Sequence, residues 1–230
     1  MKYKIIFVSC WLSITAGSSL FSQGKHLFIL SGQSNMVRLN VEESFQPILE
    51  ETFGTEHIII VKDAMGSQPI RRWYVGNESN ENPDLYHRLI KKVTTPIKDK
   101  TLASITFVWM QGERDAREAL GDIYEANFTG LYNQLCNDLN TKQINVVIGR
   151  LNDFDMNNNS YLHWTKIRAV QEQLANSNPR FEWVNTDDLN DGFDREGKAI
   201  ENDLHLSAEG YMVLGKRFAE KAIILIEKFK

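Results

Sequence analysis

Short apolar runs of strand length alternate along the chain with longer segments that have helical spacing. The runs are rich in Ile, Val, Phe and Trp, and they cover residues 27–30, 58–61, 105–110, 146–151 and 181–184. Apolar positions recur with a helical period over residues 85–97, 123–139, 161–175 and 208–229. Strands that are apolar throughout are buried on both faces, as in a parallel sheet covered by helices. The pattern therefore predicts a three-layer α/β/α sandwich around a parallel five-stranded sheet.

Polar motifs follow the first three predicted strands, and a fourth precedes the last predicted helix. They read SGQSNM at 31–36, GSQPIRRW at 66–73, WMQGERDA at 109–116 and DLHLSAEGY at 203–211. In parallel α/β sheets the loops beyond the carboxyl ends of the strands converge, and ligands bind there. We therefore expect the four motifs to meet at one edge of the sheet.

Three side chains in these motifs carry the functional groups of a serine esterase. Ser34 follows the first strand closely, which would hold its hydroxyl in place for nucleophilic attack. His205 could accept the hydroxyl proton, because the pKa of an unperturbed imidazole lies near neutrality, and Asp203 could orient the ring. The alternative is that the Ser34 hydroxyl only caps the short helix that follows, and that Asp203 only caps the last helix.

The four motifs, in this order, resemble those of the SGNH-hydrolase superfamily, and within it the sialate O-acetylesterase and carbohydrate esterase family six branch. The resemblance implies a flavodoxin-like α/β fold and the hydrolysis of acetyl esters of carbohydrates. It also implies an oxyanion hole made of the backbone N–H groups of Ser34 and Gly66 and the side-chain amide of Gln111. The superfamily more usually supplies Asn as the third donor, and this branch uses Gln.

The spacing of Asp203 and His205 departs from the commoner pattern of the superfamily. An acid three residues before the histidine is usual, and Asn202 occupies that position here. Relatives of the sialate-esterase type also show the shorter spacing. The orienting acid could instead be another carboxylate near the same loop or in the third motif, and the candidates are Asp187, Asp188, Asp191, Asp194 and Glu113.

Other residues of the second and third motifs are candidates for substrate contact or for support of the site. We expect Glu113 and Asp115 to organise the third-motif loop through hydrogen bonds. The guanidinium groups of Arg71 and Arg72 could pair with carboxylates or hydroxyls of a sugar. Trp73 could stack on a sugar ring or pack in the core, and the sequence leaves both interpretations open.

The first 23 residues have the pattern of a signal peptide. Lys2 and Lys4 precede a mostly apolar, uncharged stretch that ends before polar residues at 22–25. We therefore expect export to the periplasm or the medium, a single esterase domain over residues 24–230, and no membrane span in the mature chain. Cys136 is then the only cysteine of the mature chain, which excludes an internal disulfide, and its helical surroundings predict a small buried apolar residue.

Composition and motif searches exclude several function classes. The formal net charge is −4 and the basic residues are scattered, which is unlike a nucleic-acid-binding protein. No His, Cys and carboxylate cluster has the spacing of metal ligands, and there is no Gly-rich phosphate loop.

The sequence predicts a cofactor-free and metal-free esterase that removes acetyl groups from an acetylated carbohydrate through an acyl-serine. A general short-acyl esterase or lipase, and a catalytically silent carbohydrate-binding protein on the same scaffold, remain alternatives.

Overall fold

The computed structural model describes residues 24–74 and 83–230, so the predicted signal peptide lies outside the described residues. The main sheet consists of β1 (Lys25–Gly32), β2 (Ile58–Ala64), β3 (Leu102–Met110), β4 (Asn145–Gly149) and β5 (Phe181–Val184). A short antiparallel hairpin follows, made of β6 (Gly192–Phe193) and β7 (Ala199–Ile200). The helices are α1 (Ser34–Arg38), α2 (Phe45–Phe53), α3 (Asp84–Ile97), α4 (Glu113–Arg117), α5 (Gly121–Asp138), α6 (Trp164–Ser177) and α7 (Ala208–Lys228).

The main sheet is parallel throughout and its strands lie in the order β2-β1-β3-β4-β5. This is the flavodoxin-like order, in which ligands bind where the strand order reverses beside β1. At the carboxyl edge, Gly32 of β1 pairs with Ala64 of β2 and with Met110 of β3. The predicted three-layer α/β/α sandwich and its five-stranded parallel sheet are confirmed.

Two apolar cores cover the two faces of the sheet, because successive side chains of a strand point to opposite sides. Leu27 and Ile29 of β1 pack in one core with α3, α5 and α6. Phe28 and Leu30 of the same strand pack in the other core with α2 and α7. All four side chains are fully buried, which explains why the strand reads as a continuous apolar run.

The four long predicted helices are present with ends that differ by three residues or fewer from the predicted ones. The sequence pattern did not indicate α2 or the β6–β7 hairpin. Over residues 24–74 and 83–230, the structure has no helix of sufficient length and apolar character to span a membrane.

Candidate active site

Ser34 lies at the carboxyl edge of the sheet, immediately after the turn from β1 into α1. Gly32 makes this turn at a φ of +144°, and a Cβ there would lie 1.9 Å from the carbonyl oxygen of Met110. The N–H of the next residue, Gln33, donates to the carbonyl oxygen of Met110 at 2.9 Å, which holds the turn against the end of β3. Ser34 is therefore the first residue of a helix whose entry is fixed by β3. Within the described residues its hydroxyl forms no hydrogen bond, so it does not cap α1 in this structure.

The second motif places Gly66 beside Ser34. The N–H of Met65 donates to the carbonyl of Gly32 at 3.0 Å, which ties the loop after β2 to the end of β1. A Cβ built on Gly66 would lie 3.8 Å from the Cβ of Ser34. In the described part of the chain, neither the N–H of Ser34 nor that of Gly66 donates to another protein group. These two donors lie on neighbouring loops and are available to an anionic oxygen.

Gln111 reaches the same edge, but its side chain is fully buried and its amide nitrogen is already hydrogen-bonded. The Nε2 atom lies 3.0 Å from the carbonyl oxygen of Gln68 and 3.4 Å from Oε1 of Gln33, and it also donates to Asp115. An amide nitrogen carries only two hydrogens, so three acceptors already compete for them. In this arrangement Gln111 joins three loops of the edge, and it would have to give up one of these bonds to act on an oxyanion.

His205 lies on the loop before α7. The preceding residue, Leu204, is hydrogen-bonded to Asn35, which follows Ser34 in the chain. Nδ2 of Asn35 donates to the carbonyl oxygen of Leu204 at 3.2 Å, across a sequence separation of 169 residues. The first and fourth motifs therefore meet, as expected from the parallel sheet. Burial, and secondarily the positive charge of Arg38, lower the pKa of His205, while Asp203 opposes this shift. A lowered pKa keeps the imidazole neutral and able to accept a proton at neutral pH.

Asp203 is the carboxylate nearest to His205 among those considered. Its Oδ1 lies 3.8 Å from Nδ1 of the imidazole, which is an ion-pair distance and not a hydrogen bond. The same oxygen accepts a hydrogen bond from the backbone N–H of His205 at 2.8 Å.

The alternative acids are occupied elsewhere. Asp187 pairs with Arg150 and Arg168, and Asp188 with Arg217. The carboxylates of Asp191 and Asp194 accept backbone N–H groups of their own hairpin region. Glu113 accepts from Asn35. These contacts leave Asp203 as the best candidate for the acid beside His205.

Two buried acids of the third motif have raised pKa values. Glu113 and Asp115 are each 1 % exposed. Burial, as the largest cause, raises the pKa of Glu113 to about 7 and that of Asp115 to about 6. Asp115 also accepts the backbone N–H of Ile70 at 2.9 Å, which links the third motif to the second. Both residues organise this edge, as the sequence indicates.

The arginines of the second motif line an open cleft of about 600 Å³ beside the Gly66 loop. Its lining among the described residues consists of Ser67, Gln68, Pro69, Arg71, Arg72, Arg114 and Glu118. Arg72 makes a bidentate pair with Asp84, with both N···O distances 2.6 Å. Glu118 accepts from Arg71 and from Arg114, each at 2.6 Å. The cleft thus presents three arginines next to the loop that carries Gly66.

Trp73 does not line this cleft. Its side chain is fully buried and packs edge-to-face on Trp109, with ring centroids 5.2 Å apart. A buried ring cannot stack on a sugar, so of the two interpretations left open by the sequence, the structure shows core packing.

Asn35, Tyr211 and Asn152 are site residues to which the sequence analysis gave no role. Asn35 and Tyr211 belong to the first and fourth motifs, so their burial beside Ser34 and His205 could have been anticipated. Asn152 donates to the carbonyl of Asp203 at 3.0 Å, yet no motif or periodicity marks it. Over residues 24–74 and 83–230, no group of three or more His, Cys, Asp or Glu side chains is arranged to hold a metal ion.

Comparison with known families identifies the chain as a carbohydrate esterase. The family described as "Carbohydrate esterase, sialic acid-specific acetylesterase" matches residues 37–224. The chain belongs to this family and is a carboxylic ester hydrolase. The reaction of the family is the hydrolysis of acetyl esters of carbohydrates. The resemblance noted from the four motifs is confirmed.

Solved structures with the same fold have low sequence identity to this chain. A protein from Arabidopsis thaliana is 19 % identical with a TM-score of 0.66, covering 87 % of this chain and 98 % of its own. A carbohydrate acetylesterase from Xanthomonas citri is 16 % identical with a TM-score of 0.65, covering 88 % of this chain and 57 % of its own. The protein NanS is 13 % identical with a TM-score of 0.62, covering 90 % and 98 %. The comparison with curated proteins finds no match.

Proposed function

We propose that the protein removes O-acetyl groups from a carbohydrate through an acyl-serine intermediate on Ser34. The observation that carries this proposal is the Asn35–Leu204 hydrogen bond, which joins the chain neighbours of Ser34 and His205 at 3.2 Å. The two open backbone N–H groups of Ser34 and Gly66 support it, because they can stabilise the negative charge on a tetrahedral oxygen. Gln111 is a third donor only if it exchanges one of its present acceptors.

In the first half of the reaction, Oγ of Ser34 attacks the acetyl carbonyl carbon while His205 takes the hydroxyl proton. The tetrahedral intermediate collapses, the ester C–O bond breaks, and His205 returns the proton to the leaving sugar oxygen. In the second half, His205 takes a proton from water, which attacks the acetyl-serine. The bond between Oγ and the acetyl carbon breaks, His205 returns its proton to Oγ of Ser34, and acetic acid leaves and ionises to acetate. Asp203 would favour the charged imidazole at each step through its negative charge.

The first test measures hydrolysis of a chromogenic acetyl ester by residues 24–230. We expect Ser34→Ala and His205→Ala each to lower kcat by several orders of magnitude, because the nucleophile or its base is lost. Circular dichroism and thermal melts confirm that each variant is folded. Mass spectrometry of the acid-quenched parent should find the acetyl group on the Ser34 peptide.

The same assay separates this function from its alternatives. An inactive parent, on this ester and on acetylated sugars, favours a silent carbohydrate-binding protein. Turnover of longer acyl esters at rates equal to those of acetyl esters favours a general esterase. Activity that survives Ser34→Ala contradicts the acyl-serine proposal.

We further propose that the sugar carries a carboxylate, as a sialic acid does. The support is the arginine-lined cleft beside Gly66, since guanidinium groups bind carboxylates in a bidentate way. Arg114 is the clearest probe, because its side chain is 38 % exposed and its partner Glu118 keeps a second arginine, Arg71.

Arg114→Gln should raise KM for an O-acetylated sialic acid about tenfold, the effect of losing one charge-assisted hydrogen bond. KM for acetylated xylo-oligosaccharides should rise much less. Arg180→Gln is the matched control, because Arg180 pairs with Gln143 and Asn145 at the opposite edge of the sheet. Equal changes of KM for the acidic and the neutral sugar would argue against an acidic substrate.

Export is also proposed, and it depends on the signal-peptide pattern of residues 1–23 alone. The N-terminal sequence of the protein recovered outside the inner membrane tests it. A mature chain that still begins at Met1 would contradict it.

A further inference from the structure

Asn35 is a buried amide whose hydrogen-bonding groups are all in use. Its side chain is next to the candidate nucleophile in sequence, and the residue is 2 % exposed. Nδ2 donates to Oε1 of Glu113 at 3.0 Å and to the carbonyl oxygen of Leu204 at 3.2 Å. Oδ1 accepts from the hydroxyl of Tyr211 at 2.8 Å. With both hydrogens and the oxygen paired, the amide has one orientation and no freedom to flip.

The partners of Asn35 come from three separate parts of the fold. Glu113 begins α4 after β3, Leu204 precedes His205 on the loop, and Tyr211 lies in the first turns of α7. Glu113 belongs to the third motif, and Leu204 and Tyr211 both belong to the fourth, so Asn35 of the first motif links these two motifs to Ser34. A shift of the Asn35 side chain would therefore move Ser34 relative to the His205 loop.

The described residues contain no hydrogen bond between the side chains of Ser34 and His205 themselves. Their relative position is set by their surroundings, and the bond from Asn35 to Leu204 is the shortest covalent and hydrogen-bonded route between them. Reacting groups must lie within about 3–3.5 Å for attack, and a displacement of 1 Å can cost about a hundredfold in rate. The geometry of the hydrogen bond from Asn35 to Leu204 therefore bears directly on turnover.

We propose that Asn35 is a positioning residue, which holds the His205 loop against the Ser34 helix and is itself held by Glu113 and Tyr211. This inference deepens the proposed function and depends on it. Glu113 fixes the amide from the β3 side, and Tyr211 fixes it from α7. None of the three needs to touch the substrate.

The test is a double-mutant cycle on Asn35 and Tyr211, with kcat and KM for the chromogenic acetyl ester as the readout. Asn35→Ala should lower kcat roughly ten- to a hundredfold and leave KM within about threefold, because placement of the reacting groups is lost and ground-state binding is not. Tyr211→Phe removes only the hydroxyl and should lower kcat by about three- to tenfold. The loss of kcat in the double variant should be smaller than the product of the two single losses, because Tyr211 acts through Asn35.

Asn145→Ala is the matched control for the cost of losing a buried amide. Asn145 is 3 % exposed and lies at the start of β4, at the opposite edge of the sheet, where it accepts from Arg180 at 3.0 Å. We expect it to lower the melting temperature and to leave kcat of the folded protein unchanged.

The outcomes separate this inference from the proposed function. A parent without esterase activity, or one unaffected by Ser34→Ala, defeats the proposed function. An active parent whose kcat survives Asn35→Ala overturns the inference alone. Fully multiplicative effects of Asn35→Ala and Tyr211→Phe also overturn it. If Asn35→Ala does not fold, Tyr211→Phe with unchanged kcat is sufficient to reject the proposal.

Discussion

The contact between Asp203 and His205 is a consequence of their two-residue spacing. An Asp side chain readily accepts the backbone N–H two residues ahead, and Oδ1 of Asp203 does this with His205 at 2.8 Å. The same oxygen then lies 3.8 Å from Nδ1 of the ring, with 42 % of the carboxylate side chain exposed. An exposed ion pair at this distance is worth about 0–1 kcal/mol. Asp203 is thus placed to influence the imidazole charge more weakly than a buried, hydrogen-bonded acid would.

Asp203→Asn should therefore lower kcat less than about tenfold, because Asn preserves the local turn and only a weak charge interaction is lost. The acid limb of the kcat/KM profile should move to lower pH, since the negative charge of Asp203 raises the pKa of His205. The measurement is a pH–rate profile from pH 4 to 9 (conditions chosen around the ordinary histidine value of about 6.5).

Asp191→Asn serves as the control for this profile, because Asp191 accepts from the N–H of Asn202 on the neighbouring loop. Its acid limb should coincide with that of the parent. An unchanged limb in Asp203→Asn would show that this carboxylate does not act on the imidazole. A loss of several orders of magnitude would instead give Asp203 the full role of a triad acid.

The individual side chains differ in how far sequence could assign them. Ser34 and His205 are assigned from the sequence because motif and position in the predicted fold agree, and their roles remain predictions. The hydrogen-bond partners of Gln111 and the burial of Trp73 were not predictable, because they depend on the loop after β2 folding back onto β3. The role of Asn35 is not predictable from the sequence for a related reason, since a polar residue gains its partners only when distant segments meet.

How well each helix and strand can be predicted depends on the strength of its periodic hydrophobic pattern. Most of β1, the second half of β3 and all of β4 are buried on both faces, and the edge strands β2 and β5 are partly buried. All five strands still have apolar runs that identify them. The hairpin strands have two residues each, and a two-residue strand has no period to detect. Helix α2 has only nine residues, so few turns are available to show a helical period. Cys136, on α5, is 7 % exposed, and burial raises the pKa of its thiol, as expected of an unreactive apolar position.

The parallel sheet explains why four distant motifs could be expected at one site. Once β1, β2 and β3 are parallel neighbours, their carboxyl ends lie side by side and the three following loops must converge. The fourth motif is brought there by α7, which packs across the face of the sheet formed by Phe28 and Leu30. What the topology leaves open is the orientation of side chains within the edge, and this is where the sequence-based assignments are incomplete.

The molecule as a whole keeps two carboxyl groups, Glu113 and Asp115, buried under the site. Their pKa values of about 7 and about 6 lie above the ordinary values for exposed Glu and Asp. Between the unfolded-state pKa and the native one, the folded protein binds a proton that the unfolded chain releases. The free energy of unfolding therefore decreases as pH rises through this window, by at most about 1.4 kcal/mol per pH unit for each group. The lowered pKa values of His26 and His205 work in the opposite direction.

Glu113→Gln isolates one of these contributions, because Gln can still accept from Asn35 and does not titrate. Relative to the parent, the variant should gain stability as pH rises from about 5 to 8, on the order of 2 kcal/mol, since only the parent must ionise a buried carboxyl. Urea unfolding of both proteins at each pH measures this difference in the free energy of unfolding. It includes the charge coupling between Asp115 and Glu113, which the variant lacks. Glu118→Gln is the control. Ion pairs with arginines lower the pKa of Glu118 against the opposing effect of burial, so Glu118 is already ionised at pH 5 in both the folded and the unfolded protein. The difference in the free energy of unfolding between Glu118→Gln and the parent should therefore not change from pH 5 to 8. A level difference for Glu113→Gln would mean that the native structure accommodates the charge of this carboxylate without cost in the free energy of unfolding.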